Sequence, residues 1–195
     1  MTLAVGYLQN RDLDSAERLL KQALTMAPKN TEALRLLGVT FAFKKDLQEA
    51  LKALDKAIKV DPNNWLAHSN RGNVLKDLNQ FDAALKSYDK TIALQPNYAE
   101  AYSNTGNALK KLNLLDLALS AYKKAMALGD ENELALAAYL SCKMQLCDWE
   151  GVEGRLQKIE RGDIKRKDFF IRSIFCLFTI RPRLLKTSPK AIGGI

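Results

Sequence analysis

Four asparagines in the middle of the chain carry side chains suited to hydrogen bonding with another polypeptide. Two pairs with the same internal spacing recur after 34 residues: Asn70 and Asn73, then Asn104 and Asn107. Each side-chain amide has both a donor and an acceptor, and an extended peptide backbone offers the complementary groups at every residue. Asparagine is a poor residue in the middle of a helix, but repeated asparagines can hold an extended peptide without reading its side chains.

The interval of 34 residues runs through most of the sequence. It separates the prolines Pro28, Pro62 and Pro96, the glycines Gly38, Gly72 and Gly106, and the alanines Ala16, Ala50, Ala84 and Ala118. Self-similarity at a fixed period of this size is typical of stacked supersecondary units. Arrays of this kind usually bind other molecules and seldom catalyse reactions.

Each unit is predicted to contain two helices. Complete units are predicted to begin at Thr31, Trp65 and Ala99, after an incomplete unit over residues 1–30. In the second helix, apolar residues recur at i, i+3, i+4 and i+7, which is the stripe of an amphipathic helix. In the first complete unit this stripe begins with Leu47, Ala50, Leu51 and Leu54.

Residues between and after the helices indicate how each unit closes. Each recurring proline follows the apolar stripe and is predicted to stop the second helix. Asn79 and Asn113 lie between two helices, where a tight turn needs a residue that tolerates the left-handed conformation. A glycine inside a helix costs about 1 kcal/mol relative to alanine. The recurring glycines therefore predict a close approach of the two helices, with the recurring alanines as their facing partners.

At these positions the sequence resembles the tetratricopeptide repeat family. The unit that begins at Thr31 matches the family pattern at Leu34, Leu37, Gly38, Phe41, Ala50, Leu54, Ala57 and Pro62. The resemblance implies an all-α fold, a right-handed α-solenoid of antiparallel helix pairs. We expect an array over residues 1–162 and a basic, apolar tail over residues 163–195. The predicted repeats are residues 1–30, 31–64, 65–98 and 99–132, with a degenerate fifth over 133–162.

The same resemblance implies that the first helices line a concave groove. The positions implied to face the groove hold, besides the four asparagines, Leu66, Ser69, Lys76 and Asp77 in one repeat and Glu100, Ser103, Lys110 and Lys111 in the next. In the preceding unit the equivalent surface is apolar, with Leu36, Val39 and, nearby, Phe43. An apolar end and a lysine-bearing end favour an extended peptide with some acidic character. Two alternatives stay open: the asparagines are exposed polar residues of duplicated repeats, and the lysines are solvated surface charges.

Two short segments are similar to protein O-GlcNAc transferases. Residues 102–110, Tyr-Ser-Asn-Thr-Gly-Asn-Ala-Leu-Lys, look like the repeat region of that family. Residues 145–150, followed by Arg155 and Leu156, are similar to the junction with the glycosyltransferase domain, although Trp149 also fits a core position of a repeat helix. Only residues 163–195 follow the array, and they contain no glycine-rich loop for a phosphate. We therefore expect no transferase activity.

Charge and reactive side chains exclude further functions. The net charge is +8, but residues 163–195 hold eight basic and two acidic residues, so the rest of the chain carries only +2. A nearly neutral array lacks the basic stripe that nucleic-acid binding requires. The single histidine, His68, takes a core position, and Cys142, Cys147 and Cys176 lack metal-ligand spacing and fit reduced, mostly packed thiols. We expect no catalytic residue, no metal and no cofactor.

The tail has three open interpretations. Lys165, Arg166 and Lys167 precede an apolar run over residues 169–180 that is too short to span a bilayer. The tail is a helix that caps the solenoid, the remnant of a lost domain, or an anchor at a membrane surface. The N-terminus shows no secretory signal. We therefore expect a cytoplasmic protein, with no membrane partner unless the tail is an anchor.

The sequence favours a non-enzymatic scaffold for protein–protein interaction, with a protein or an extended peptide as its partner. The alternative is the substrate-recruiting part of an O-GlcNAc-transferase-like protein, truncated before its catalytic domain.

Overall fold

The computed structural model describes residues 2–129 and 133–148, and every regular element within these ranges is an α-helix. The helices are α1 (Thr2–Gln9), α2 (Leu13–Met26), α3 (Thr31–Phe43), α4 (Leu47–Val60), α5 (Trp65–Asp77), α6 (Phe81–Leu94), α7 (Ala99–Lys111), α8 (Leu115–Ala127) and α9 (Glu133–Gln145). The chain forms two compact units, residues 1–131 and residues 132–195. Trp149, Arg155, Leu156, Cys176 and the predicted tail lie outside the described residues.

Side chains before the helices and prolines after them explain the helix bounds. Several helices begin after an asparagine or aspartate whose side chain accepts a hydrogen bond from the backbone N–H three residues later, which satisfies a donor that the helix leaves unpaired. These N-cap residues are Asp12, Asn30, Asp46 and Asn64. The helices α2, α4 and α6 each end two residues before a recurring proline, as predicted, because proline cannot continue the hydrogen-bonded ladder.

In the described part of the chain, a left-handed residue closes the turn after the first helix of each repeat and the turn after α9. Such residues recur every 34 positions, at Arg11, Lys45, Asn79, Asn113 and Cys147, with φ between 55° and 65°. The prediction for the two asparagines is confirmed. In each turn this residue donates its N–H to the carbonyl three residues back, and the next residue donates to the carbonyl five back. These two bonds define a Schellman motif, which satisfies the last carbonyls of the first helix.

Within the compact unit of residues 1–131, the helices stack in the order of the chain. The pairs α3–α4, α5–α6 and α7–α8 pack within themselves, and α2, α4 and α6 also pack against the first helix of the next pair. The first helices also contact one another: α1 contacts α3, α3 contacts α5, and α5 contacts α7. Among the described helices, the contacts between successive second helices are less extensive. A stack bends toward the side on which its units are closer, so the first helices line its inner side. The predicted all-α solenoid is confirmed.

The recurring alanines and glycines let the two helices of a pair approach closely. The four alanines of the second helices are fully buried. The atoms nearest to each glycine belong to the side chain four residues after the alanine, and the predicted contact with the alanine is also present at Gly38, where the carbonyl oxygen of Ala50 lies 3.2 Å from the Cβ position. A Cβ on Gly72 would lie 2.7 Å from Cδ1 of Tyr88, and one on Gly106 would lie 2.6 Å from Cε1 of Tyr122. On Gly38 the nearest atom would be Cγ of Leu54, at 2.6 Å. The glycines therefore make room for a large side chain.

Candidate functional site

The four asparagines lie on two first helices that contact each other. Asn70 and Asn73 are on α5, Asn104 and Asn107 are on α7, and all four side chains are half-buried. Two neighbouring repeats thus place the same side chains at the same register of their first helices.

A tyrosine of the following helix holds the second asparagine of each pair. The hydroxyl of Tyr88 on α6 donates to Oδ1 of Asn73, and the hydroxyl of Tyr122 on α8 donates to Oδ1 of Asn107, both at 2.8 Å. Both tyrosines are fully buried. Burial, with smaller contributions from the charges of Asp77 and Glu100, raises the pKa of Tyr88. Its hydroxyl therefore stays protonated and remains a donor at neutral pH.

Asn70 and Asn104, the first asparagines of the two pairs, differ in this respect. Within the described residues, neither accepts a hydrogen bond from a side chain of the following helix. Nδ2 of Asn70 is enclosed by protein atoms and has no hydrogen-bond partner there. A buried donor without an acceptor destabilises a fold by about 1–3 kcal/mol. The hydrogen bonds of the described residues therefore leave this donor unsatisfied.

Small polar side chains lie beneath the inner surface. Ser69 and Ser103, which the sequence placed facing the groove, are 2% and 3% exposed. That part of the prediction is wrong, because both serines are buried and retain almost no surface for a ligand. Of the polar side chains predicted to face the groove, the asparagines keep exposed surface and these two serines do not.

The predicted lysines and Phe43 lie near the ends of the first helices. Lys76 and Lys110 are half-buried in the last turns of α5 and α7, and Lys111 is exposed next to Lys110. A cation in the last turn of a helix also interacts favourably with the helix dipole, so local stabilisation is part of their role. Phe43, the last residue of α3, is 61% exposed. An aromatic side chain this exposed contributes little to the core.

Aromatic residues at the junction between two units were not predicted as part of the site. The ring of Trp65, the first residue of α5, packs edge-on against Tyr98, the N-cap of α7, with 4.7 Å between centroids. The Tyr98 hydroxyl donates to Glu100. The pKa of Tyr98 is raised, mainly by burial and to a smaller extent by the hydrogen bond with this carboxylate. The junction thus holds Glu100, an acidic residue in the first turn of α7, by a hydrogen bond.

Four family models match the chain, and all four describe the same repeat. Models described as tetratricopeptide repeats match residues 1–65, 53–86 and 99–128, and a model described as a TPR repeat matches residues 72–113. Together they span residues 1–128 without a gap. Residues 1–128 are tetratricopeptide repeats. None of the four models is specific to O-GlcNAc transferases, so the sequence resemblance to those enzymes remains a prediction without further support. No curated protein matches the chain.

Solved tetratricopeptide-repeat structures share this fold. MamA from Desulfovibrio magneticus RS-1 is 23% identical, with a TM-score of 0.74 over 86% of this chain and 94% of that one. YrrB, a TPR protein with an unusual peptide-binding site, is 21% identical, with a TM-score of 0.70 over 89% of each chain. The first TPR of Spaghetti (RPAP3), bound to the HSP90 peptide SRMEEVD, is 25% identical, with a TM-score of 0.59 over 60% of this chain and 93% of that one.

Residues with possible metal or redox chemistry take structural places in the repeats. The ring of His68 is buried, and its Nε2 lies 3.0 Å from the carbonyl oxygen of Pro62. Cys142 is buried, and Cys147 is exposed at the left-handed turn position. Exposed Cys147 therefore departs from the packing role expected of the cysteines.

In the described part of the chain, no three histidine, cysteine or acidic residues are grouped to hold a metal. No helix among the described ones is both long and apolar enough to cross a membrane.

Proposed function

We propose that this chain is a non-catalytic scaffold for protein–protein interaction and that its inner surface binds an extended peptide. The observation that carries the proposal is the repeated placement of half-buried asparagines, Asn70 and Asn73 on α5 and Asn104 and Asn107 on α7, on two touching first helices. Amides at equal intervals match a peptide backbone, whose hydrogen-bonding groups also recur at fixed intervals. The proposal adds that the peptide is recognised mainly through its backbone.

Two further observations support a peptide as the ligand. Nδ2 of Asn70 lacks an acceptor within the described fold, and a turn of this half-buried side chain toward the groove would let a peptide carbonyl oxygen satisfy that donor. A structure with the same fold, the first TPR of Spaghetti (RPAP3), is bound to an HSP90 peptide, and YrrB has a peptide-binding site. These proteins support the ligand class, and the identity of the peptide is left to experiment.

The surroundings of the asparagines suggest the character of the peptide. Lys76, Lys110 and Lys111 favour acidic side chains near the ends of α5 and α7, whereas exposed Phe43 at the end of α3 favours an apolar one. Because an exposed ion pair contributes about 0–1 kcal/mol, the lysines adjust selectivity and supply little affinity. We propose that the backbone contacts supply most of the binding free energy.

Replacing Asn70, Asn73, Asn104 and Asn107 together by alanine tests the proposal. Helicity should be retained, because alanine is a better helix former than asparagine. The test ligand is a 12-residue peptide selected on the wild-type chain from a random displayed library. Affinity should fall at least about tenfold, since several hydrogen bonds of about 0.5–1.5 kcal/mol each are lost.

Isothermal titration calorimetry gives the affinity, and circular dichroism checks the fold. Alanine at Gln48, Lys52 and Lys56, exposed residues of the second helix α4, provides the control and should leave affinity unchanged. If the asparagine variant binds every selected peptide as tightly as the wild type, the asparagines are surface residues of duplicated repeats.

A further inference from the structure

The hydrogen bonds from Tyr88 and Tyr122 limit what their asparagines can offer a ligand. A carboxamide carries its acceptor and its donors on opposite branches. A fully buried phenol requires an acceptor, and here Oδ1 of Asn73 or of Asn107 is that acceptor, at 2.8 Å. With its oxygen bonded to the tyrosine, each amide has its NH2 group on the branch that the tyrosine does not use.

The glycine before each asparagine allows this contact. The ring of Tyr88 lies against Gly72, and the ring of Tyr122 lies against Gly106, at distances where a Cβ would collide with ring carbons. The glycine directly precedes the asparagine on the same helix. The missing side chain thus lets the ring approach until its hydroxyl reaches the next residue.

A comparison with the other repeats separates this role from simple packing. In the unit that begins at Thr31, Leu54 occupies the place of the tyrosine against Gly38, and the residue after that glycine is Val39. In the incomplete repeat over residues 1–30, Leu20 and Val5 take the places of the tyrosine and the asparagine. Leucine therefore meets the packing need, and tyrosine occurs in the units that also have asparagine.

We propose that Tyr88 and Tyr122 are positioning residues that orient the amides of Asn73 and Asn107, so that the groove presents N–H donors to the backbone carbonyl oxygens of an extended peptide. The inference rests on the proposed function, because it concerns the same groove. It narrows that function, since a free amide can rotate to offer either its donor or its acceptor. A fixed amide selects carbonyl acceptors and sets the register of the peptide along the repeats.

The double substitution Tyr88→Phe and Tyr122→Phe removes both hydroxyl groups and keeps both rings. Its affinity for the library-selected 12-residue peptide should fall about tenfold by calorimetry, since two oriented hydrogen bonds are weakened. Tyr102→Phe is the matched control, because the Tyr102 hydroxyl donates to the carbonyl of Pro96, outside the asparagine positions. That variant should bind like the wild type.

Nuclear magnetic resonance provides a readout that a packing role leaves unchanged. In the free full-length chain, the side-chain amide signals of Asn73 and Asn107 should shift in the double phenylalanine variant, whereas the backbone amide signals of α1 and α2 should stay in place. If the tyrosines only fill space, phenylalanine preserves both sets of signals. Unchanged Asn73 and Asn107 signals overturn the inference.

The outcomes separate the inference from the proposed function. A peptide that loses affinity in the alanine variant of the four asparagines, but not in the tyrosine variant, overturns the inference and leaves the groove intact. If no selected peptide depends on the asparagines, the proposed function fails, and the inference fails with it.

Discussion

At the scale of single residues, the recurring glycines, tyrosines and asparagines act together. Gly72 clears space on α5, Tyr88 fills that space from α6, and Asn73 accepts the hydrogen bond of the tyrosine. The same relation holds among Gly106, Tyr122 and Asn107. A change at the glycine therefore affects both the packing of the pair and the orientation of the amide.

Gly72→Ala should destabilise the protein although alanine is the better helix former. The new Cβ would lie 2.7 Å from Cδ1 of the fully buried Tyr88, so the ring would have to shift within the core. Overpacking of this kind costs about 1–3 kcal/mol. Urea denaturation followed by circular dichroism measures the change in the free energy of unfolding.

Gly6→Ala is the matched control, because Gly6 also lies within a helix but nothing comes within 4 Å of the position of its Cβ. This substitution should stabilise the protein by about 0.5–1 kcal/mol. Changes of the same sign in both variants would show that helix propensity, rather than the ring against Gly72, controls the effect.

The sequence predicts which residue types could bind a peptide but not their partners within the fold. Asn70, Asn73, Asn104 and Asn107 stand out by type and interval alone. The bonds of Asn73 and Asn107 to tyrosines join residues 15 positions apart on different helices, and their existence depends on how deeply the helices pack. The co-occurrence of tyrosine and asparagine in the same units was the available signal.

At the scale of helices and turns, the positions of the turns are more regular than the residues that form them. The left-handed residue recurs every 34 positions but is Arg11, Lys45, Asn79, Asn113 or Cys147. Residue type alone predicts a left-handed conformation only for the two asparagines. The regular interval would have predicted the other three, since the Schellman bonds depend on backbone geometry and tolerate different side chains.

Lys45→Asn should stabilise the protein. A left-handed conformation costs an ordinary L-residue about 1–2 kcal/mol, and asparagine adopts it more readily; Lys45 has φ 65°. We expect the free energy of unfolding to rise by part of that amount, as measured by urea denaturation. Lys56→Asn, at an exposed site inside α4, should instead lower it by up to about 0.7 kcal/mol. Equal effects in the two variants would contradict the turn-specific explanation.

The left-handed residue also bears on the fifth repeat. Cys147 follows α9 at the interval set by the other turns, and its turn makes the same two hydrogen bonds. We therefore propose that the repeat pattern continues past the four recognisable repeats, as predicted for residues 133–162. The degenerate sequence hides this continuation, because the glycine position of the pattern holds Leu140, which is buried.

At the scale of the first unit, each helix is stabilised by its neighbours in the stack. Contacts run from each helix to the next and between successive first helices, so no single core joins distant repeats. The 34-residue period predicted this architecture, because each repeat has an apolar stripe that only a neighbour can cover. The bend of the stack toward its first helices was known only by resemblance, since it depends on small differences in interhelical distance.

Stacking predicts that the same substitution has different effects at the end and in the middle of the array. Ala16 on α2 and Ala84 on α6 occupy the same register and are both fully buried, so replacement by leucine should overpack either site by about 1–3 kcal/mol. In Ala16→Leu, hydrogen exchange should become faster mainly in α1 and α2, because the array from α3 onward keeps its contacts. In Ala84→Leu, faster exchange should extend from α5 to α8, because α6 joins α5 to α7.

Lys86→Leu, at an exposed site on α6, controls for added hydrophobicity and should leave protection nearly unchanged. Equally faster exchange over residues 2–129 in both alanine variants would show that the unit opens as one cooperative body rather than repeat by repeat.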